Sequence, residues 1–280
     1  MTMMLASVRS LDEALIGLEG GADLIDLKEP SRGALGALDH AAVRICVQAI
    51  GARRPVSATI GDLPSMDPQA MTAAVERMAA TGVDFIKIGF FSHPRALECA
   101  TALADLTCET QLIAVIFADE PWSMDPSPSG IPGRSPELWS QTGYGQRPVS
   151  PWGIPRNPFR GAGVRDDLIP LINALADAGF AGAMLDTAHK TGKTLRDWRA
   201  GKELEEFVTR GRGHGLLTGL AGSLRREDVL PLLAIGPDYL GFRGALCRDG
   251  ERAKILDQEA FAAIRAAIPQ GTVRSRRAAA

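Results

Sequence analysis

Eight times along the chain a short apolar run is followed by a stretch with helical periodicity. No other feature constrains the fold as strongly. The runs at 4–8, 24–28, 56–60, 85–89, 112–117, 183–186, 216–221 and 239–243 are nearly continuous rather than alternating, so they read as strands buried on both faces. Helical patterns at 10–19, 40–49, 68–80, 94–106, 167–178, 203–211, 226–234 and 258–267 lie between and after them. Four junctions share one punctuation: "EGGAD", "ATGVD", "DAGFA" and "AIGPD" each put a glycine after a helical run and before the next strand. Glycine there accepts the left-handed conformation that stops a helix. Strand–helix alternation implies parallel strands, and eight units in 280 residues predict an α/β fold, a (β/α)₈ TIM barrel over residues 1–270. An open doubly wound sheet is the alternative, but the first turn, "SVRSLDEA", has no glycine-rich dinucleotide fingerprint.

One region breaks the rhythm. Residues 119–165 are rich in Pro, Gly and Ser and extend the loop after strand five. Structureless loops longer than about fifteen residues are usually functional or disordered. Trp122, Trp139, Tyr144 and Trp152 lie in it, and aromatic residues argue against disorder, so a lid or a subunit contact is expected. Residues 271–280, which end in "VRSRRAAA", read as a flexible C-terminal tail.

Composition excludes several functions. A formal net charge of −2 offers no basic field for nucleic acid. No apolar stretch is long enough to span a bilayer, so no membrane partner is expected. "MTMMLASVRS" has no basic region followed by an apolar run, so no secretory leader and a cytoplasmic location are expected. Cys46, Cys99, Cys108 and Cys247 are scattered and read as free thiols. His40, His93, His189 and His214 are dispersed as well, so neither a metal nor another cofactor is expected.

The charges inside the apolar runs carry the chemistry. Asp26 and Lys28 sit two apart at the end of strand two, so they share a face. Lys87 lies within "FIKIGFF" on strand four, Asp186 ends strand six with Lys190 just beyond, and Arg243 ends strand eight. All are on even-numbered strands, and alternate strands fill the same interior layer, so Lys28, Lys87, Asp186 and Arg243 are expected to converge at the barrel mouth. A lysine becomes a nucleophile when desolvation or a second cation lowers its pKa. Two lysines with two carboxylates therefore suggest imine chemistry on a carbonyl, with neighbouring groups moving protons. The loops after strands seven and eight, "GLAGSLRRE" and "GFRGALC", suit a phosphate held by backbone N–H groups. Gly222, Ser223, Gly244 and Ala245 are the candidates, with Arg243 as charge partner.

The segments "GGADLIDLKEPSRGALGA", "VSATIGDLP", "DFIKIGF", "AMLDTAHKTGKTL", "LAGSL" and "GFRGALC" together resemble the (5-formylfuran-3-yl)methyl phosphate synthase family, also called 4-(hydroxymethyl)-2-furancarboxaldehyde-phosphate synthase, of methanofuran biosynthesis. The resemblance runs from strand one to strand eight and lapses over about 119–165 and the tail. The extended loop suits a bacterial, methylotroph-type member. The resemblance implies a metal-independent carbon–oxygen lyase that joins two molecules of glyceraldehyde 3-phosphate, with loss of phosphate and water, through a lysine Schiff base. It places the Schiff-base lysine on Lys28, its preceding aspartate on Asp26, the proton-transferring lysine on Lys87, and the acid–amine pair on Asp186 and Lys190. Two other functions stay open at this stage: a class I aldolase for another phosphorylated sugar, and a non-catalytic phosphometabolite-binding barrel. A homo-oligomer is expected, since barrels of this kind often associate.

Overall fold

Parallel pairing runs without a break around the sheet. In the computed structural model, which describes residues 1–104, 106, 109–122 and 168–269, the strands are β1 (Met3–Val8), β2 (Leu24–Leu27), β3 (Val56–Thr59), β4 (Phe85–Phe90), β5 (Gln111–Phe117), β6 (Gly182–Asp186), β7 (Leu217–Leu220) and β8 (Tyr239–Phe242). Each pairs with its sequence neighbours, and β8 pairs with β1 to close the barrel. The helices are α1 (Leu11–Glu19), α2 (His40–Ile50), α3 (Pro68–Ala79), α4 (Ala96–Ala104), α5 (Leu168–Asp177), α6 (Leu195–Trp198), α7 (Gly201–Gly213), α8 (Arg226–Ile235) and α9 (Gln258–Ala267). The barrel expected from the alternation is therefore present. The short α6 was not expected: the connection from β6 to β7 holds two helices, because Thr194 and Asp197 form a capping box that starts a helical turn ahead of α7. The expected Trp139, Tyr144 and Trp152 of the long loop, Cys108 and the tail lie outside the described residues.

Local chemistry explains the element ends. Ser10, Asp39, Asp67 and Asp257 cap α1, α2, α3 and α9 by accepting backbone N–H bonds, each worth about 1 kcal/mol. The four junction glycines Gly21, Gly82, Gly179 and Gly236 have φ of 81°, 84°, 76° and 77°, the left-handed region expected of them. Three of these junctions hold an aspartate two residues after the glycine. Asp23, Asp84 and Asp238 each accept a backbone N–H near the start of the strand next door, from Met4, Val56 and Thr218. Each acid thus satisfies an edge donor at the barrel's N-terminal end.

Burial divides into two layers. One core lies between strands and helices and includes Val8, Ile25, Ile86 and Ile116. The other fills the barrel and includes Leu5, Leu24, Val115, Phe117, Met184 and Tyr239. Strand residues alternate between the layers, which is why the runs read as continuously apolar. Leu35 also belongs to the interior core, although it comes from the loop after β2. That loop folds down onto the mouth. Asp62, in the loop after β3, accepts the backbone N–H groups of Ala34 (2.9 Å) and Leu35 (3.0 Å). Gly33, at φ 115°, has no room for a side chain, because a Cβ would sit 1.9 Å from the Asp62 carboxylate.

Candidate active site

Register builds the centre of the site. Ser7 on β1 lies opposite Asp26 on β2, and Asp26 lies opposite Ser57 on β3. All three point into the barrel, so both hydroxyls reach the carboxylate: Ser7 donates to Oδ2 and Ser57 to Oδ1, each at 2.7 Å. Lys87, on β4, stands opposite Thr59, two residues beyond Ser57. Its Nζ reaches back to Asp26 Oδ2 at 3.0 Å, and both side chains are almost wholly out of water. Burial favours a neutral Asp26, but the Lys87 and Lys28 ammoniums and the two hydroxyls outweigh it and hold the carboxyl below its ordinary range.

Lys28 was expected to end strand two, whereas β2 stops at Leu27 and Lys28 is the next residue. Its backbone N–H continues the ladder to Val8 O at 3.0 Å, which keeps the residue on the interior face. The residue is 6% exposed. Among the described residues its Nζ has no hydrogen-bond or ion-pair partner. Desolvation, aided by the Lys87 and Lys190 charges, lowers its pKa to about 8 against the opposing pull of Asp186 and Asp26. The sequence pairs Asp26 with its neighbour Lys28, whereas the barrel pairs Asp26 with Lys87 and leaves Lys28 free.

Asp186, the last residue of β6, accepts from the Thr187 N–H at 2.7 Å and from Lys190 Nζ at 3.0 Å. Lys190 also donates to Thr187 O (2.6 Å) and Thr187 Oγ1 (3.1 Å). Burial pushes the Asp186 carboxyl up, but Lys190, Lys28 and Lys87 prevail and bring it down to about 2. The loop holding Lys190 is fixed by a residue that sequence reasoning assigned only to the long loop. Asp119 accepts the backbone N–H groups of Ala188 and His189, both at 2.7 Å. Two carboxylates and three ammonium groups thus face one another at the mouth. Tyr239 is buried beneath them in the interior core, and burial together with Asp26 pushes its phenol up. Among the described residues, no group of three or more His, Cys, Asp or Glu side chains is placed to hold a metal ion.

Arg243 does not join this cluster. Its guanidinium pairs with Glu13 of α1 through both Nη atoms, and it donates further to Ser7 O, Arg252 O and Lys254 O. All five of its N–H donors are engaged, so as it stands it has none for a phosphate. The neighbouring backbone differs. Among the described residues, the N–H groups of Gly222, Ser223, Gly244 and Ala245 have no acceptor. Ser223 also holds φ at 50°, a left-handed conformation rare for a residue with a side chain.

Comparison with known proteins bears on the fold and the family. Phosphoribosyl anthranilate isomerase from Thermus thermophilus superposes with a TM-score of 0.54 at 15% identity, covering 95% of this chain and 98% of that one. 3-Hexulose-6-phosphate synthase from Salmonella typhimurium gives 0.53 at 13% identity, covering 94% and 98%. Identities this low speak for the barrel fold alone. Sequence relatives are nearer. A Methylorubrum extorquens protein, provisionally named (5-formylfuran-3-yl)methyl phosphate synthase, is 39% identical over 254 residues, 91% of this chain and 86% of that one. The (5-formylfuran-3-yl)methyl phosphate synthases of Methanopyrus kandleri and Methanothermobacter thermautotrophicus are 33% and 32% identical, each over 89% of this chain and 91% of theirs. The family model described as 4-HFC-P synthase matches residues 4–134 and 162–265, so family similarity reaches further into 119–165 from both sides than the sequence motifs indicate. The chain belongs to the 4-HFC-P synthase family.

Proposed function

We propose that this enzyme condenses two molecules of glyceraldehyde 3-phosphate into 4-(hydroxymethyl)-2-furancarboxaldehyde phosphate, with loss of phosphate and water, as a step toward methanofuran or an analogue. The observation that carries the reading is Lys28: a buried amine with no hydrogen-bond partner among the described residues and a pKa of about 8. Such an amine is partly neutral near pH 7 and can attack an aldehyde, whose oxygen leaves as water when the imine forms. The protonated imine withdraws electrons and acidifies the adjacent C–H. Lys87 and Asp26, hydrogen bonded to each other at 3.0 Å, are the pair suited to take that proton and to protonate a leaving oxygen. Asp186 orients Lys190. Lys190 then meets the second triose phosphate together with the free N–H groups at 222–223 and 244–245, in an arrangement suited to a phosphate dianion. Loss of phosphate, ring closure and dehydration give the furan, whose aromatic stability favours completion.

The test is borohydride reduction of the enzyme with glyceraldehyde 3-phosphate, followed by peptide mass spectrometry. We expect the reduced adduct on Lys28, and ultraviolet absorption from a furan in the unreduced reaction. An adduct on another lysine, or none, rejects the assignment. An adduct with only an aliphatic aldol product would favour an aldolase instead.

A further inference from the structure

The mouth holds a second arginine that the charged pattern of the strands does not reveal. Between β8 and α9 the chain makes an excursion that folds back on itself: Cys247 bridges Leu256, and Arg248 N–H bonds Ile255 O at 3.0 Å. Arg243 holds this excursion in place from below. Its Nε and Nη2 donate to the carbonyls of Arg252 and Lys254, both at 2.9 Å, while Glu13 fixes the same guanidinium. The Arg252 side chain is thereby laid across the mouth toward β2. Its Nη2 donates to Gly33 O at 2.9 Å, in the loop that begins just after Lys28. The other four N–H donors have no acceptor among the described residues, and no carboxylate there lies within ion-pair distance. Arg243 and Arg252 are thus opposites, one saturated and one almost free.

A half-buried guanidinium without a counterion is costly, and such a group keeps its place where an anion completes it. Asp186 is the acid that acts most strongly on both Lys28 and Arg252. Both cations therefore feel the charge of one carboxylate, and Arg252 is joined to the loop that follows Lys28 through Gly33 O.

We infer that Arg252 is the seat for the phosphate of the triose captured by Lys28, held by its free guanidinium donors while Nη2 keeps the Gly33 loop closed over the site. The enzyme then has separate seats for two phosphate monoesters: Arg252 on the β2 side, and Lys190 with the backbone N–H groups on the β6–β8 side. Arg243 is a positioning residue that acts through the carbonyl of Arg252. This inference rests on the proposed imine at Lys28, and its test separates the two.

The measurement is the half-saturating concentration for borohydride trapping, with glyceraldehyde 3-phosphate and with unphosphorylated glyceraldehyde. A charged hydrogen bond of ordinary strength corresponds to about tenfold or more in affinity. R252Q is expected to raise the value for the phosphorylated substrate by that factor, to raise that for glyceraldehyde far less, and to melt like the native chain. R252K is expected to recover part of the loss. Equal weakening of both substrates, or no change for either, overturns the inference. Calorimetric titration with inorganic phosphate needs no imine: the native chain should take up two equivalents and R252Q one. If native protein fails to trap at Lys28 while R252Q still drops one phosphate, the imine falls and the seat stands. Unchanged phosphate uptake by R252Q refutes the seat.

Discussion

Lys28 and Lys87 face the same two carboxylates, yet they stand in different electrostatic states. Lys87 is paired with Asp26, which fixes its direction. Lys28 is desolvated but unpaired, so its neutral form is within reach at pH 7. Two consequences can be measured. Because only the neutral amine attacks, the rate of imine trapping should rise with pH and level off above about 8. A profile still climbing toward the lysine value of 10.5 would contradict this reading. Replacing Lys87 with Met should still allow trapping at Lys28, displaced toward higher pH because one of the charges that lower its pKa is gone, while furan formation falls by about 10²–10⁴, the range for a lost acid–base group. The same change strands a buried carboxylate and should lower stability by about 3 kcal/mol, softened by the Ser7 and Ser57 hydroxyls that remain on Asp26.

Among the elements, loops rather than strands complete the site. The β2 loop inserts Leu35 into the barrel interior and is held there by Asp62. An Asp62→Ala change leaves two amides without their acceptor, which costs about 1–3 kcal/mol locally. Hydrogen exchange at Ala34 and Leu35 should accelerate by tenfold or more by that estimate, while the β5 amides keep their protection. The glycines of "SRGALGA" mark the sharp turns of this loop, but nothing local identifies Asp62 as their anchor. The same holds for Asp119 and the Lys190 loop, where acceptor and donors are 69 and 70 residues apart.

Across the whole molecule, ion pairs tie the start of the chain to its end. Glu13 meets Arg243, and Asp23 meets Arg265 at 2.7 Å; the members of each pair are more than two hundred residues apart. Both pairs lie beside the β1–β8 seam that closes the barrel. Glu13→Ala should cost about 3–5 kcal/mol in denaturant unfolding, since it leaves the Arg243 charge buried without its partner. It should also loosen the excursion that carries Arg252. A melting curve unchanged by this substitution would contradict the strut. The sequence by itself determined the eight-unit barrel and the residues whose charge is buried in it. Those follow from periodicity and from local backbone rules, as at Gly21 or Asp186, where neighbouring residues hold the whole signal. Only the tertiary structure decided the partners. Closing the sheet sets the stagger that carries Lys87 to Asp26 rather than leaving Asp26 with Lys28, and it turns Arg243 toward Glu13 while Arg252 takes the mouth. A pairing depends on distances between residues far apart in the chain, and these exist only once the barrel is shut.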